Sequence, residues 1–304
     1  MDNLKPINHI EINNDMKVSE LVSSMKGMGF QARKIGEAGE ILKEMFEDKN
    51  VKIFVGLAGA MVPAGMKKII IDLLDKADVF VSTGANLTHD LIEALGGKHY
   101  QGSEFAEDFE LNKKGIDRIY DVFMKSEVYK SLEDFFEKNW RELEKAKTIK
   151  EFLWKIGSLL KVKKDESILK KCYEERIPIF CPALADSGIG LMIWGNKVRG
   201  KEFAIDAFED MKELIDFAWK NKKKGVVYIG GGVPKNFIQQ AMQFSTPASY
   251  GIQITTDKEE YGGSSGAKLK EGISWGKMSR DGKFVNVSCD ATIALPLILS
   301  YAFS

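Results

Sequence analysis

Small residues and carboxylates recur directly after short apolar runs in this 304-residue chain, where a bound ligand would meet bare backbone and hydrogen-bonding side chains. Lys52–Gly56 (KIFVG) runs into Leu57-Ala58-Gly59-Ala60, and Asp78–Ser82 (DVFVS) into Thr83-Gly84-Ala85-Asn86. Pro178–Cys181 (PIFC) leads to Asp186-Ser187-Gly188, Val226–Ile229 (VVYI) to Gly230-Gly231-Gly232, Tyr250–Thr255 (YGIQIT) to Thr256-Asp257, and Phe284–Ser288 (FVNVS) to Cys289-Asp290-Ala291. If the runs are strands of one open sheet, these residues converge on the crevice outside its carboxyl edge, where such sheets bind ligands. The ordinary alternatives are turn chemistry for the glycines and helix N-capping for Asp186 and Asp290.

Other apparent motifs dissolve on inspection. Gly272-Ile-Ser-Trp-Gly276-Lys277-Met278 is one residue short of a phosphate-binding loop, ends in Met where Mg²⁺ coordination needs a hydroxyl, and follows no strand. Ser274-Trp-Gly-Lys277 matches the SxxK of penicillin-recognising enzymes, but neither SDN nor KTG occurs in the chain. His9, His89 and His99 have no metal-ligand spacing, so no metal is expected; His89 either contacts a ligand or caps local structure.

The elements that must position these residues follow from periodicity. Apolar runs without clean alternation suit strands covered on both faces, and helical stretches lie between them: an α/β chain with a mostly parallel sheet. Residues 130–164 read as one long helical region with a buried stripe of Leu132, Phe135, Phe136, Trp140, Leu143, Phe152, Leu153, Ile156 and Leu160. Lys222-Lys223-Lys224 before a strand reads as a helix C-terminus answering its dipole. No linker or repeat divides the chain, so residues 1–304 are expected to form a single domain.

Composition narrows the function class. The 44 Lys+Arg balance 44 Asp+Glu, which argues against a general nucleic-acid binder. Three cysteines without a CxxC pair support neither a disulfide framework nor a structural zinc site. The amino terminus shows no signal-peptide pattern, and the most apolar stretch, 291–303, is shorter than the roughly 20 residues a bilayer span needs. A cytoplasmic protein that meets neither nucleic acid nor membrane is expected.

Seven ordered segments carry a resemblance. Gly56-Leu-Ala-Gly-Ala-Met-Val-Pro-Ala-Gly-Met66, Ser82-Thr-Gly-Ala-Asn-Leu-Thr-His-Asp90, Pro182-Ala-Leu-Ala-Asp186, Gly230-Gly-Gly-Val-Pro-Lys235, Gly263-Ser-Ser-Gly-Ala267, Ser274-Trp-Gly-Lys277 and Asp290-Ala-Thr292 resemble the deoxyhypusine synthase family from about residue 20 to the C-terminus. The resemblance implies a Rossmann-like doubly wound fold, NAD as cofactor, and a homotetramer with active sites at subunit interfaces. It also implies aminobutyl transfer from a polyamine, through an imine on an enzyme lysine, to a lysine of the hypusine-containing translation factor.

Carried over by position, Lys277 is the imine-forming lysine and Trp275 lines the amine channel; Glu271, Asn236 and Ser264 fall at substrate positions. Cofactor positions are Gly59, Ala60, Thr83, Gly84, His89, Asp186, Gly230, Gly231, Gly232, Thr256, Asp257, Asp290 and Ala291. The chemistry agrees with the residue type: a nucleophilic lysine must be neutral, and a free one, with a pKa of about 10.4, is neutral roughly once in several thousand at pH 7. Desolvation beside Trp275 is the expected means of depressing it.

The chain departs from the better-known members of the family at the amine end. Leu191 and Ser264 stand where acids are expected, Asn236 where a histidine is, His89 where a glutamate is, and Gly59-Ala60 where Ser-Asn is; Glu271 remains. Fewer carboxylates for a buried dication leave the donor open among spermidine, agmatine and putrescine. Two alternatives stand beside protein modification: homospermidine synthase-like transfer to putrescine, and a non-catalytic NAD-binding relative, against which Lys277 beside Trp275 argues.

Overall fold

The computed structural model describes residues 4–304. They divide into two compact units, one of residues up to Gly56 together with Leu214–Ser304, the other of Leu57–Glu213. In chain order the first unit opens with α1 (Val18–Met25), α2 (Phe30–Glu47) and β1 (Lys52–Leu57). The second holds α3 (Lys67–Leu74), β2 (Val79–Ser82), α4 (Gly84–Ala94), β3 (His99–Gln101), α5 (Asp108–Lys113), β4 (Ile116–Ile119), β5 (Val122–Lys125), α6 (Val128–Leu143), α7 (Ile149–Leu159), α8 (Ile168–Glu174), β6 (Ile179–Phe180) and α9 (Gly188–Val198). The chain then passes through α10 (Ala207–Lys220) and completes the first unit with β7 (Lys224–Ile229), α11 (Gly232–Gln243), β8 (Ala248–Ile254), β9 (Met278–Val287) and α12 (Ala291–Ala302).

In the first unit the strands lie in the order β1-β7-β8-β9. β7 and β8 are parallel, with Val227 opposite Ile252, and so are β8 and β9, with Ile252 opposite Val285. Helices cover both faces. The bare Cα of Gly225 in β7 admits Met45 of α2, which also packs on β8, β9 and α12. On the other face Phe54 meets Phe217 of α10 edge-on at 5.6 Å, and Gly56 makes room for Tyr228 of β7 and Ile238 of α11. Two-faced burial is the reason these runs show no alternation, and it gives the mostly parallel, doubly wound α/β arrangement that the sequence predicts. Lys224 is fully buried; its ammonium donates to the carbonyls of Ala218 and Asn221 at 2.9 and 2.8 Å, and so answers the C-terminus of α10 as expected.

In the second unit β2 and β6 pair in parallel, Phe80 opposite Ile179 and Val81 opposite Phe180. Two features differ from expectation. The helical region over 130–164 is broken: α6 stops at Leu143, and α7 starts afresh with the Thr148 hydroxyl accepting from the Glu151 amide at 3.2 Å. A threonine followed three residues later by glutamate is a helix start, and it overrides the continuous apolar stripe. The second is an antiparallel sheet in the order β3-β5-β4, whose strands of three and four residues are too short and polar to leave a period-2 signal. No described helix is long and apolar enough to cross a membrane.

Candidate functional site

In the first unit the carboxyl ends of β7, β8 and β9 are tied together by one buried polar network. Lys235, one turn into α11 and 2% exposed, donates to Oε1 of Gln253 in β8 at 2.9 Å and to the carbonyls of Ser264 and Ala267 at 2.7 and 2.5 Å. Gln253 is fully buried; its Nε2 donates to the Ser265 carbonyl at 2.7 Å, and its Oε1 also accepts from Asn286 of β9 at 3.0 Å. Asn286 in turn accepts from the Leu269 amide at 3.1 Å. The segment from Ser264 to Leu269 is therefore strapped across three strand ends.

The triple glycine fits under that strap. A Cβ on Gly231 would lie 2.5 Å from the Cα of Ser265, and the Gly232 amide donates to Ser265 Oγ at 2.9 Å with φ at +55°. Only glycine allows both the approach and the turn. Thr256 and Asp257 are exposed just beyond β8, and Thr255, Asp257, Asn286, Ser288, Gln31 and Lys34 line a cavity of about 430 Å³. Asp290 takes the ordinary role: it is the N-cap of α12, accepting from the Thr292 amide at 2.7 Å, with Ala291 as the first helical residue.

Lys277 follows a 3₁₀ turn over Leu269–Ile273, with its amide held by the Gly272 carbonyl at 2.8 Å and Gly276 at φ +68°. Its ammonium sits 5.0 Å from the centre of the Trp275 ring, a cation–π distance. Trp275 is 58% exposed and Glu271 is exposed, so within this chain the indole covers Lys277 on one side only. Burial pulls the Lys235 ammonium down to about 8; Glu271 opposes this and the charge of Lys277 adds to it, which puts the three side chains in one electrostatic neighbourhood. Asn236 and the Ser264 side chain are exposed, Asn236 next to Lys235 on α11 and Ser264 on the strap.

In the second unit Asn86 organises the matching turn. Fully buried, it donates to the Gly59 carbonyl at 2.7 Å and to Thr83 Oγ1 at 3.2 Å, and accepts from the Val62 amide at 3.2 Å. Gly59 holds φ +77°, and Thr83 is the N-cap position of α4 with its amide on the Leu57 carbonyl at 3.3 Å. A Cβ on Gly84 would fall 2.5 Å from that of Ser187. Ser187, rather than the exposed Asp186 beside it, caps α9 by accepting from the Gly190 amide at 3.1 Å. Gly59, Ala60, Thr83, Gly84 and Asp186 thus gather around Asn86 and Ser187.

His89 does not cap α4 but lies within it, and its Nδ1 is 2.9 Å from Nε2 of His99. Ten residues and a helix end separate the two in sequence, which is why spacing alone did not pair them. Among the described residues no group of three or more His, Cys, Asp or Glu could hold a metal ion. Lys235, Gln253 and Asn86 were not singled out by sequence reasoning, and His99 only as a candidate metal ligand. Lys235 and Asn86 stand inside the glycine-rich segments, and Gln253 is a polar residue in the middle of a strand; those were the available signals.

The deoxyhypusine synthase family model matches residues 20–302. A relative from Archaeoglobus fulgidus named "Probable deoxyhypusine synthase 2" is 46% identical over 90% of this chain and 94% of its own length. "Deoxyhypusine synthase-like protein" from Chlorobaculum parvum is 38% identical over 98% of this chain and 89% of its own. A crystal structure from Entamoeba histolytica bearing the same family name superposes with a TM-score of 0.66 at 19% identity, over 98% of this chain and 96% of that one, and shows the fold to be shared.

Proposed function

This chain belongs to the deoxyhypusine synthase family and is a transferase of hypusine biosynthesis, and from that premise we propose that it moves an aminobutyl group from a polyamine to a lysine of the hypusine-containing translation factor by way of Lys277. The observation that carries the reading is Lys277 against the Trp275 ring, directly after the turn that bears Glu271. Trp275 offers the face that a cationic amine prefers, and Glu271 a carboxylate for its ammonium. The neutral Lys277 amine attacks the oxidised carbon of the donor and expels the remainder of the donor as a free amine. The acceptor lysine then displaces Lys277 from the same carbon, and the enzyme lysine returns unchanged.

NAD fits the residues at the strand ends. In the first unit the cavity beside Thr255 and Asp257, just beyond β8, offers backbone and a carboxylate that can accept from ribose hydroxyls. NAD would supply the hydride acceptance that oxidises the donor carbon and the hydride return that reduces the final imine. The candidate positions for it are, in the first unit, Gly230, Gly231, Gly232, Thr256, Asp257 and Ala291, with Asp290 as the cap of α12, and, taken separately, in the second unit Gly59, Ala60, Thr83, Gly84 and Asp186.

The exposure of Trp275 and Glu271 supports a protein acceptor, because a lysine on a folded partner needs an open mouth. A homotetramer is supported by the α9 face of Leu191, Trp194 and Val198, at 55–68% exposure an apolar surface for a second subunit to cover. Light scattering tests the assembly.

The chemistry is tested by incubating the protein with NAD, labelled spermidine, agmatine or putrescine, and either the translation factor or a free diamine, followed by mass spectrometry. Label on a protein lysine is the expected result and identifies the donor. Label in homospermidine with none in protein overturns the acceptor assignment.

A further inference from the structure

A hydrogen-bonded chain runs from the wall of the cavity of about 430 Å³ to the turn that carries Lys277, and Asn286 is its middle member. The cavity lies wholly within the first unit; Asn286 of β9, Gln31 of α2 and Gly266 and Lys268 of the strap share its wall. Beyond the strap the backbone folds on itself: the amides of Glu271, Ser274, Trp275, Gly276 and Lys277 donate to carbonyls between Lys268 and Ile273. The ends of this turn are tied to the strands. The Leu269 amide donates to Asn286 Oδ1 at 3.1 Å, and the Lys277 carbonyl accepts from the Ala248 amide of β8 at 3.1 Å.

The sense of the chain is fixed from its buried end. The Lys235 ammonium only donates, so Gln253 must turn Oε1 toward it and Nε2 toward the Ser265 carbonyl. Asn286 must then turn Nδ2 to the same Oε1, at 3.0 Å, which leaves its Oδ1 for the Leu269 amide. Flipping either amide would set donor against donor and acceptor against acceptor. Nδ2 of Asn286 carries two hydrogens, and one is spent on Gln253. The other has no partner among the described residues, on a side chain that lines the cavity.

We propose that Asn286 is a positioning residue for Lys277: an occupant of the cavity takes its free hydrogen, fixes its amide plane, and through the Leu269 amide orders the turn that presents the nucleophile. The occupant is a nucleotide, whose ribose and phosphate oxygens accept such a hydrogen, and in this the inference rests on the reading of NAD and Lys277 given above. A turn whose hydrogen bonds are largely internal moves as a body about its two ends. A ligand that holds Asn286 and touches Gly266 and Lys268 of the strap removes that freedom at one end, without any contact to Lys277 itself. Linkage makes the effect reciprocal, so an ordered turn also favours the ligand.

Hydrogen–deuterium exchange read by mass spectrometry over residues 264–277, with and without saturating NAD, tests the coupling. In the parent, NAD is expected to slow exchange over 269–277 by about fivefold or more. Asn286→Ala is expected to lose that gain while calorimetry still shows NAD binding, and its kcat for aminobutyl transfer to fall about tenfold with the donor KM within about twofold. Asn286→Asp, which keeps an oxygen for Leu269 but has no hydrogen to offer, loses the gain as well and serves if the alanine variant does not fold. Ser288→Ala, on the same cavity wall without a side-chain bond to the turn, keeps it. No gain in the parent, or an equal gain in the Asn286 variants, overturns the inference. If the parent binds no NAD, the cofactor reading fails instead, and the ligand-free proteins decide the tie: 269–277 must exchange faster in Asn286→Ala, and unchanged rates overturn it.

Discussion

The ammonium of Lys235 lies 2.9 Å from Oε1 of Gln253, both side chains buried, and through this contact helix α11 holds the strap that precedes Lys277. Lys235→Met would leave the carbonyls of Ser264 and Ala267 without a donor and Gln253 Oε1 with Asn286 alone. The expected loss is about 1–3 kcal/mol in denaturant unfolding, with a larger proportional loss of transfer activity than of NAD binding.

The same lysine gives the stability curve a signature. Folded Lys235 titrates at about 8, against 10.5 for an ordinary lysine, so between those values the unfolded chain binds more protons. Stability therefore rises with pH across that window, by up to ~1.4 kcal/mol per unit from this group. Below pH 8 the contribution is flat. Subtracting the unfolding free energy of Lys235→Met, measured from pH 7 to 10.5, should isolate the slope; no difference in slope refutes the assignment.

Asn86 is the sole side chain described here as bonded to both Gly59 and Val62. Asn86→Ala frees that turn, leaving the buried Val62 amide and the carbonyl of the exposed Gly59 without their partner. A loss of about 2–3 kcal/mol in thermal or chemical unfolding is expected. If the turn backs the cofactor, NAD affinity in a fluorescence titration falls roughly tenfold, about 1.4 kcal/mol.

Gly231→Ala drives a methyl group into Ser265 and must displace the strap. About 1–3 kcal/mol of stability and most NAD affinity should be lost. Gly263→Ala, where a Cβ meets nothing within 4 Å, is the matched control and should stay within about 0.5 kcal/mol of the parent.

Lys277→Arg keeps the cation over Trp275 but cannot supply a neutral amine. Borohydride reduction in the presence of NAD and the donor amine should trap an adduct on the parent and none on this variant, while NAD binding persists in both. An adduct that survives the substitution places the nucleophile elsewhere.

Much of this was legible along the chain. Strands buried on both faces announce themselves as unbroken apolar runs, and the small residues after them mark the carboxyl edge, so β1, β2, β6, β7, β8 and β9 and the turns at Gly59, Thr83 and Gly230 were all placed in advance. Asp290 was legible in its ordinary role, since an aspartate before a helix accepts from the first free amides. The short strands β3, β4 and β5 were not, because three or four residues leave no period to read.

The sequence by itself determined the class of fold and the family, because each is recorded in local pattern: apolar period, glycine where a Cβ cannot fit, and ordered motifs. Tertiary structure alone decided which polar groups work together. Lys235 and Gln253 are 18 positions apart, Asn86 and Gly59 are 27 apart, and His89 meets His99 only because the chain turns back after α4. Pairing of that kind depends on the path the backbone takes once apolar faces are buried. A buried lysine or histidine then takes whatever partners that path supplies, and these partners decide where its proton resides.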